Sequence, residues 1–416
     1  MSKLAIHGGR PVCKPPIDPS AYRPLRFTEP EREALGRVMD TGALCRIFGS
    51  ETESLEAGFA TYFGPGFHAV ASSSGTAAIH TALAAAGVGW QDEVITSPVT
   101  DMGSIIGIVA QGALPVFADI DELTYNMTAD NVAKAVTSRT RAILVIHLAG
   151  LACDMDPILE IARRHDIAVV EDCAQSWLAE SQGRPVGTLG TIGCFSLNGF
   201  KHISCGDGGI CLTRNEGLAH RMRLFTDKAY DRRTSLRNPS VFAMNYRMTE
   251  LQAAVGRVQL DKLAGIISRR EEIVSRLLAG LAGTPGLVLP RVPGDDRHSW
   301  WYLTVRRDPE LIEAGALELT DALAAEGLPA WTGYCGGMPV YLYDCFTRQD
   351  ESFFRLPPLV GSEPGFPESL YPQGLCPVAE RMLEEMIIIP INEFYTPDEV
   401  DNIARGLEKV FSYYVS

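Results

Sequence analysis

The chain has 416 residues, 51 Asp and Glu against 37 Lys and Arg, and a formal net charge of −14. That length suits a large domain with a smaller companion. The negative balance argues against nucleic acid or an anionic membrane surface as a partner. Hydrophobic residues make up 46% and charged residues 21%, as in soluble globular proteins, and no apolar run is long enough to span a bilayer. The opening MSKLAIHGGRPV lacks the apolar core of a secretory signal, so a cytoplasmic protein is expected. None of the ten cysteines forms a CxxC pair, and no Cys/His set has ligand spacing, so neither a disulfide framework nor a zinc site is expected.

In chain order, an N-terminal arm (1–27) precedes a large domain (28–283) and a smaller α+β domain (284–416). Within the large domain, short apolar runs alternate with amphipathic stretches such as GTAAIHTALAAAGV and DMDPILEIARRHD. The runs are HAVASSS (68–74), EVITSPV (93–99), LPVFADI (114–120), RAILVIHL (141–148), IAVVEDCA (167–174), IGCFSLN (192–198) and GGICLTR (208–214). Near-continuous apolar strands are buried on both faces. The alternation predicts an α/β fold with a mostly parallel sheet of seven strands covered by helices. A long helix is predicted from Thr249 to about Leu281. Then come a strand over 299–307, a helix at LELTDALAAEG, an irregular Gly/Pro/aromatic segment over 333–376 and a last helix over about 396–413.

Ligands bind at the carboxyl ends of parallel strands, and three such ends carry chemistry. SSSGTAAIH places Ser, Gly and Thr at a strand-to-helix turn. Free amides there, with a glycine permitting close approach, make a phosphate cradle, although an ordinary N-cap has the same residues. VVEDCAQS ends a buried strand in two acids and a glutamine. A buried carboxylate needs a cation or strong donors. It can hold a proton on a pyridine nitrogen, cap a helix or pair with an arginine. FSLNGFKHISCGDGG follows a third strand with Ser196 and Lys201. A lone lysine is usually a solvated charge, but an amine in a cleft can form a Schiff base and then shuttle protons. Together the three ends match what pyridoxal 5′-phosphate (PLP) requires.

These pieces, with QDEVITSPV, PVFADID, VIHLAG and NYRMTELQAAVGRVQLDKL, resemble the DegT/DnrJ/EryC1/StrS family of PLP-dependent sugar and aminocyclitol aminotransferases, of fold type I. The likeness runs from about residue 28 to 265 and is looser beyond. LAIHGGRPV further resembles the aminocyclitol subgroup, such as the glutamine-dependent scyllo-inosose aminotransferases. The resemblance implies that Lys201 forms the Schiff base and acts as general acid and base. Asp172 keeps the pyridine nitrogen protonated, Gln175 lies near the phenolic oxygen, and Gly75, Thr76 and Ser196 bind phosphate. Asn245 reaches the phosphate of a neighbouring subunit in a homodimer with shared sites. The expected partners are an amino donor and a sugar or aminocyclitol.

Two departures from the family pattern stand out. VTDMGS puts Met102 where relatives often carry an aromatic residue stacked on the ring. CGDGG replaces the commoner SGEGG, bringing in Asp207 and Cys205, and that thiol is either packing or a second proton-transfer group. His202 is expected as a packed neighbour, since in the related dehydratases a histidine replaces the lysine that is intact here. Transamination from L-glutamine or L-glutamate to a keto-sugar, keto-cyclitol or oxidised aminoglycoside is the leading reading. Epimerisation at an amine-bearing carbon of a gentamicin-type aminoglycoside is the alternative. It needs a second acid/base, with Cys205, Cys335 and Tyr334 as candidates. A non-catalytic binding role has no need of the nucleophile. Substrate recognition is expected from residues 20–50, the 226–245 loop with Arg232 and Arg233, and residues 331–376.

Overall fold

The computed structural model describes residues 3–234, 237–348, 353–354, 356–357 and 370–415. All seven predicted strands of the large sheet form: β1 (His68–Ser72), β2 (Glu93–Thr96), β3 (Leu114–Phe117), β4 (Thr140–Ile146) and β5 (Ala168–Asp172), then, after a short hairpin of β6 (Glu180–Ser181) and β7 (Arg184–Pro185), β8 (Ile192–Ser196) and β9 (Gly209–Thr213). Their order is β1-β9-β8-β5-β4-β2-β3. β9 pairs antiparallel with both β1 and β8, and every other pairing is parallel. Six strands therefore point the same way and deliver their carboxyl ends to one edge. Each of these six stops two or three residues short of its predicted run, because the chain turns there into the loops that carry the polar residues.

The second sheet is antiparallel, in the order β10 (Leu287–Val288), β11 (Tyr302–Arg307), β13 (Ile387–Pro390), β12 (Trp331–Thr332). β11 begins three residues later than predicted. Before it, the amides of Ser299 and Trp301 donate to the carbonyls of Gly150 and Ala149 (2.8 and 2.9 Å), which stitches this lead-in to the large sheet's loops instead. Part of the predicted 333–376 loop lies outside the described residues. The rest is 3-10 turns and the short helix Asp344–Thr347. The helices Glu29–Thr41, Glu51–Tyr62 and Pro377–Glu385 and the strand β13 have no counterpart in the sequence reading.

The helix Glu250–Leu281 joins the two bodies. A capping box starts it, Thr249 with Gln252. Leu260, Leu263 and Ile267 from its first and middle turns pack in a cluster with Trp177 and Phe195. Ile273, Val274, Leu277 and Leu281 from its second half join a cluster with Leu303, Ile389 and Phe411. Leu4 and Cys13 of the arm belong to that second cluster, and the Cys13 amide donates to the Glu326 carbonyl (2.9 Å).

Strand alternation splits the two acids of VVEDCAQS. Asp172 faces the sheet's carboxyl edge, whereas Glu171 is fully buried beneath a turn. Its Oε1 accepts from the amides of Leu189 (2.8 Å) and Gly190 (2.6 Å), and its Oε2 accepts from Gly187 (2.7 Å). His147 Nδ1 accepts from the Cys153 amide (3.0 Å), so its proton lies on Nε2 and is donated to Glu171 (3.1 Å). His147, Glu171 and Cys173 lie within 4.8 Å of one another, but these bonds already commit the His and Glu atoms. Glu171→Gln turns an NH₂ group toward donors. We expect it to destabilise the cofactor-free protein by about 2–4 kcal/mol, measured as a lower denaturant midpoint. An unchanged midpoint would contradict this account of the turn.

Candidate active site

A cavity of about 510 Å³ opens at the edge where the parallel strands end. After β1, Ser74 caps the helix Gly75–Ala85, accepting from the Ala77 amide at 3.0 Å. An α-helix leaves its first amides without partners within the helix, so those of Gly75 and Thr76 suit an anion. A Cβ on Gly75 would meet Ser196 Cβ at 2.7 Å and Oγ at 2.9 Å. Only glycine lets the cradle turn lie against the serine of β8. A second helix, Met102–Ala110, starts at the same cavity with Asp101 as its cap.

Asp172, at the end of β5, is 5% exposed. Its Oδ2 accepts from Ser104 Oγ (2.7 Å), which lies 2.7 Å from Thr100 Oγ1, and its Oδ1 accepts from the Ala174 amide (3.0 Å). Burial pushes its pKa up, and the Ser104 and Ala174 donors and the Lys201 charge oppose that only in part. Lys201 lies in the loop after β8 with its Nζ 4.3 Å from the centroid of the Trp301 ring, a cation–π geometry. Burial pulls its pKa down, against the Asp172 and Asp101 carboxylates. A larger share of neutral amine is what a nucleophile needs.

The cavity also brings Gln175 and Met102 to its wall. Gln175 Oε1 accepts from the Ala149 amide (3.0 Å) and its Nε2 donates to the Tyr334 hydroxyl (2.8 Å). Seven of the eight candidate residues, Gly75, Thr76, Met102, Asp172, Gln175, Ser196 and Lys201, thus share one cavity. Asn245 does not line it. It is exposed, in a single antiparallel bridge with Asp227.

Other candidates sort clearly. Cys205 is not on the cavity wall. Its thiol, pushed up to about 12 by burial, donates to the Asp207 carbonyl (3.3 Å) and packs beside the large-domain core, so its role as a proton-transfer group finds no geometry here. His202 is fully buried, and its Nε2 donates to the Ser299 carbonyl (3.0 Å). Cys335 and Tyr334 do line the cavity. Burial pushes the Cys335 thiol up to about 12 and raises the Tyr334 phenol well above its ordinary value. Cys335 already donates to the Thr100 carbonyl (2.7 Å).

Sequence reasoning missed Trp301, Ser104 and Asp101. Two adjacent tryptophans gave no signal for the first: both precede β11, and the left-handed backbone of Trp300 (φ 50°), not strand alternation, separates the two rings. Trp300 goes inward at 8% exposure and Trp301 faces Lys201.

A glycine-cradled helix N-terminus, a buried carboxylate and an enclosed lysine at neighbouring strand ends fit PLP: the cradle its phosphate, Asp172 its ring nitrogen and Lys201 its aldehyde. Fold and site together define a fold type I PLP-dependent transferase. The chain belongs to the DegT/DnrJ/EryC1/StrS aminotransferase family, whose model matches residues 26–408, and it is accordingly a PLP-dependent aminotransferase. It is 38% identical over 304 residues to the GDP-perosamine synthase of Caulobacter vibrioides, covering 72% of this chain and 81% of that one. It is 31% identical over 391 residues to the spore coat polysaccharide biosynthesis protein SpsC of Bacillus subtilis, covering 91% and 94%. Among solved structures, an aminotransferase from Psychrobacter cryohalolentis superposes with a TM-score of 0.83 at 30% identity, covering 93% of this chain and 98% of that one. DesV of S. venezuelae superposes with a TM-score of 0.80 at 32% identity, covering 95% and 97%.

The buried acid yields a prediction with two opposite signs. The folded pKa of Asp172 is raised, so its contribution to folding is most favourable below the ordinary carboxylate pKa of about 3.9 and is lost as pH rises through the folded value. Asn cannot ionise. Asp172→Asn should leave the cofactor-free protein at least as heat-stable as the parent at pH 7 to 8. It should also slow amino-group removal from the donor by about 10²–10⁴-fold. Melting curves and stopped-flow absorbance check both, and a variant that loses stability but keeps its rate contradicts the assignment.

Proposed function

We propose that this aminotransferase moves an amino group from L-glutamine or L-glutamate to the carbonyl of a keto-sugar, keto-cyclitol or oxidised aminoglycoside, within aminoglycoside antibiotic biosynthesis in the cytoplasm. The observation that carries the reading is Lys201 enclosed in one cavity with Asp172 and the Gly75–Thr76 cradle. Bound PLP supplies an aldehyde for the amine and a ring that takes up an electron pair. Everything else falls to the protein. Gly75, Thr76 and Ser196 hold the phosphate. Asp172 keeps a proton at the ring nitrogen, and Ser104 and the Ala174 amide fix the direction of its carboxylate. Gln175, tethered to Ala149 and Tyr334, presents its amide beside the ring oxygen. Lys201 Nζ removes the proton from the donor's α-carbon. In the second half it delivers a proton to the former carbonyl carbon of the acceptor, so one base serves both halves. Met102, on the cavity wall, would lie against the ring.

The acceptor class is read from the wall. Asp101 and Asp207 bring carboxylates, Phe200, Trp301 and Tyr343 bring aromatic faces, and Lys201 is the one basic residue among the described lining residues. That set suits an acceptor bearing ammonium groups, whereas a nucleotide diphosphate calls for cations. The likeness to a GDP-perosamine synthase supports a sugar-type acceptor for this chain as well. Epimerisation finds less support, because the two thiols and the phenol offered for its second proton transfer are off the wall or already committed. We also propose a homodimer in which Asn245 reaches the partner's phosphate. Its support is that Asn245 is solvent-facing, beside the exposed Val241, Phe242 and Met244. The division at residues 27 and 283 is likewise a proposal.

The test is a competition at equal concentrations between an oxidised aminoglycoside and a nucleotide-linked keto-sugar, with L-glutamine as donor and mass spectrometry of the products. At least a tenfold preference in kcat/KM for the cationic acceptor is expected, cut severalfold by Asp101→Asn. Preference for the nucleotide sugar would overturn the acceptor class. Solvent deuterium entering an aminoglycoside without any donor would point to epimerisation instead.

A further inference from the structure

We propose that Arg26, Glu393 and Arg270 form a positioning device that fixes the Lys201 amine against the Trp301 ring. The inference rests on the assignment of Lys201 as the cofactor-binding amine. Arg26 lies in the N-terminal arm, and its side chain is 11% exposed. Its guanidinium donates to three carbonyls of the lysine loop: Gly199 (2.9 Å), Lys201 itself and His202 (2.7 Å). Arg270, on the long helix, donates to the carbonyls of Trp300 (3.0 Å) and Trp301 (3.3 Å). One carboxylate links the two cations. Glu393, just beyond β13, accepts from Arg270 Nε and Nη2 at Oε2 (3.0 and 2.6 Å), and its Oε1 lies 3.7 Å from Arg26 Nε. The side chains of Arg270 and Glu393 are 7% and 6% exposed.

The arrangement is more than a buried ion pair. Each guanidinium grips the backbone of one of the two residues that meet over the amine; Arg270 hydrogen-bonds the shared carboxylate, whereas Arg26 is held to it by charge alone, its Nε having no hydrogen-bond partner. Two further bonds close the frame between the strips. Trp301 Nε1 donates to the Phe200 carbonyl (2.9 Å), and His202 Nε2 donates to Ser299 (3.0 Å). Backbone carbonyls at residues 199–202 and 300–301 are thereby fixed from a residue of the arm, a residue of the long helix and a residue of the second sheet's body. Planar guanidinium forks suit this, since they satisfy several carbonyls in one plane, and an ammonium does not reproduce the pattern. A displacement of about 1 Å at a reacting group can lower a rate by about 10²-fold, so the loop's placement bears on the chemistry without touching it.

The experiment follows the rate at which the visible band of lysine-bound cofactor appears when saturating PLP is added to the cofactor-free protein. Variants are Arg26→Met, Arg26→Lys and Glu393→Gln. The control is Arg276→Met, which removes the exposed Arg276–Asp401 pair (2.7 Å) between the same helix and the C-terminal helix. Band formation should slow at least tenfold in Arg26→Met and several-fold in Arg26→Lys and Glu393→Gln, and stay within twofold of the parent in the control. In turnover, kcat should fall with the KM for donor little changed. A role confined to stability lowers the denaturant midpoint but leaves the linkage rate of folded protein as in the parent, and that result overturns the proposal. If Arg26→Met does not fold, a folded Arg26→Lys with the parent's rate overturns it equally. Absence of the band in the unchanged protein is a different failure, because it removes the Schiff-base role of Lys201 itself.

Discussion

Burial acts on the Lys201 amine and the Asp172 carboxyl in opposite directions. It pulls the first pKa down and pushes the second up, and each charge partly restores the other. A buried acid and base held in this tension have their protonation set by what binds between them. The rest of the site serves that pair. β5 and β8 are parallel neighbours, with Asp172 opposite Cys194, so the sheet itself sets the spacing between the acid's strand end and the lysine's loop. Ser104 and Ala174 orient the acid, Trp301 covers the amine, and the N-terminus of the helix Gly75–Ala85 lies beside them.

The large sheet makes this possible by running six strands in one direction. A parallel sheet gathers residues far apart in sequence, near positions 75, 102, 172 and 201, along one edge. The second body contributes from outside. It lends Trp301, Tyr334 and Cys335 to the cavity wall, and its Glu393 stands between Arg26, which holds the lysine loop, and Arg270, which holds the Trp300 and Trp301 carbonyls. The helix Glu250–Leu281, shared by both hydrophobic cores, holds the two bodies in register.

Much of this was legible in the sequence, and its limits have physical reasons. The seven strands declared themselves because strands buried on both faces are nearly all apolar. Their polar ends were legible for the complementary reason, that acids and lysines are rare at the end of a buried strand unless a ligand or partner waits there. Glu171 and Asp172 looked alike as neighbours, and only the alternation of the strand, realised in three dimensions, sent one beneath a turn and the other into the cavity. Trp301 read as part of a strand, since nothing local marks which of two tryptophans meets a lysine a hundred residues away. The arm's Arg26 carried no signal, because its partners are backbone carbonyls that have no sequence identity. Cys205 drew notice by proximity in sequence to Lys201, but its thiol bonds the Asp207 carbonyl and packs beside the large-domain core, off the cavity wall.

The central claim is that Lys201 and Asp172 operate PLP in a transamination whose first half needs only the donor. The direct measurement is the absorption spectrum of the holoenzyme before and after L-glutamine or L-glutamate, with no acceptor present. Loss of the visible band of lysine-bound cofactor, with growth of the near-ultraviolet band of pyridoxamine phosphate, is the predicted result. A visible band that persists unchanged with both donors would contradict it.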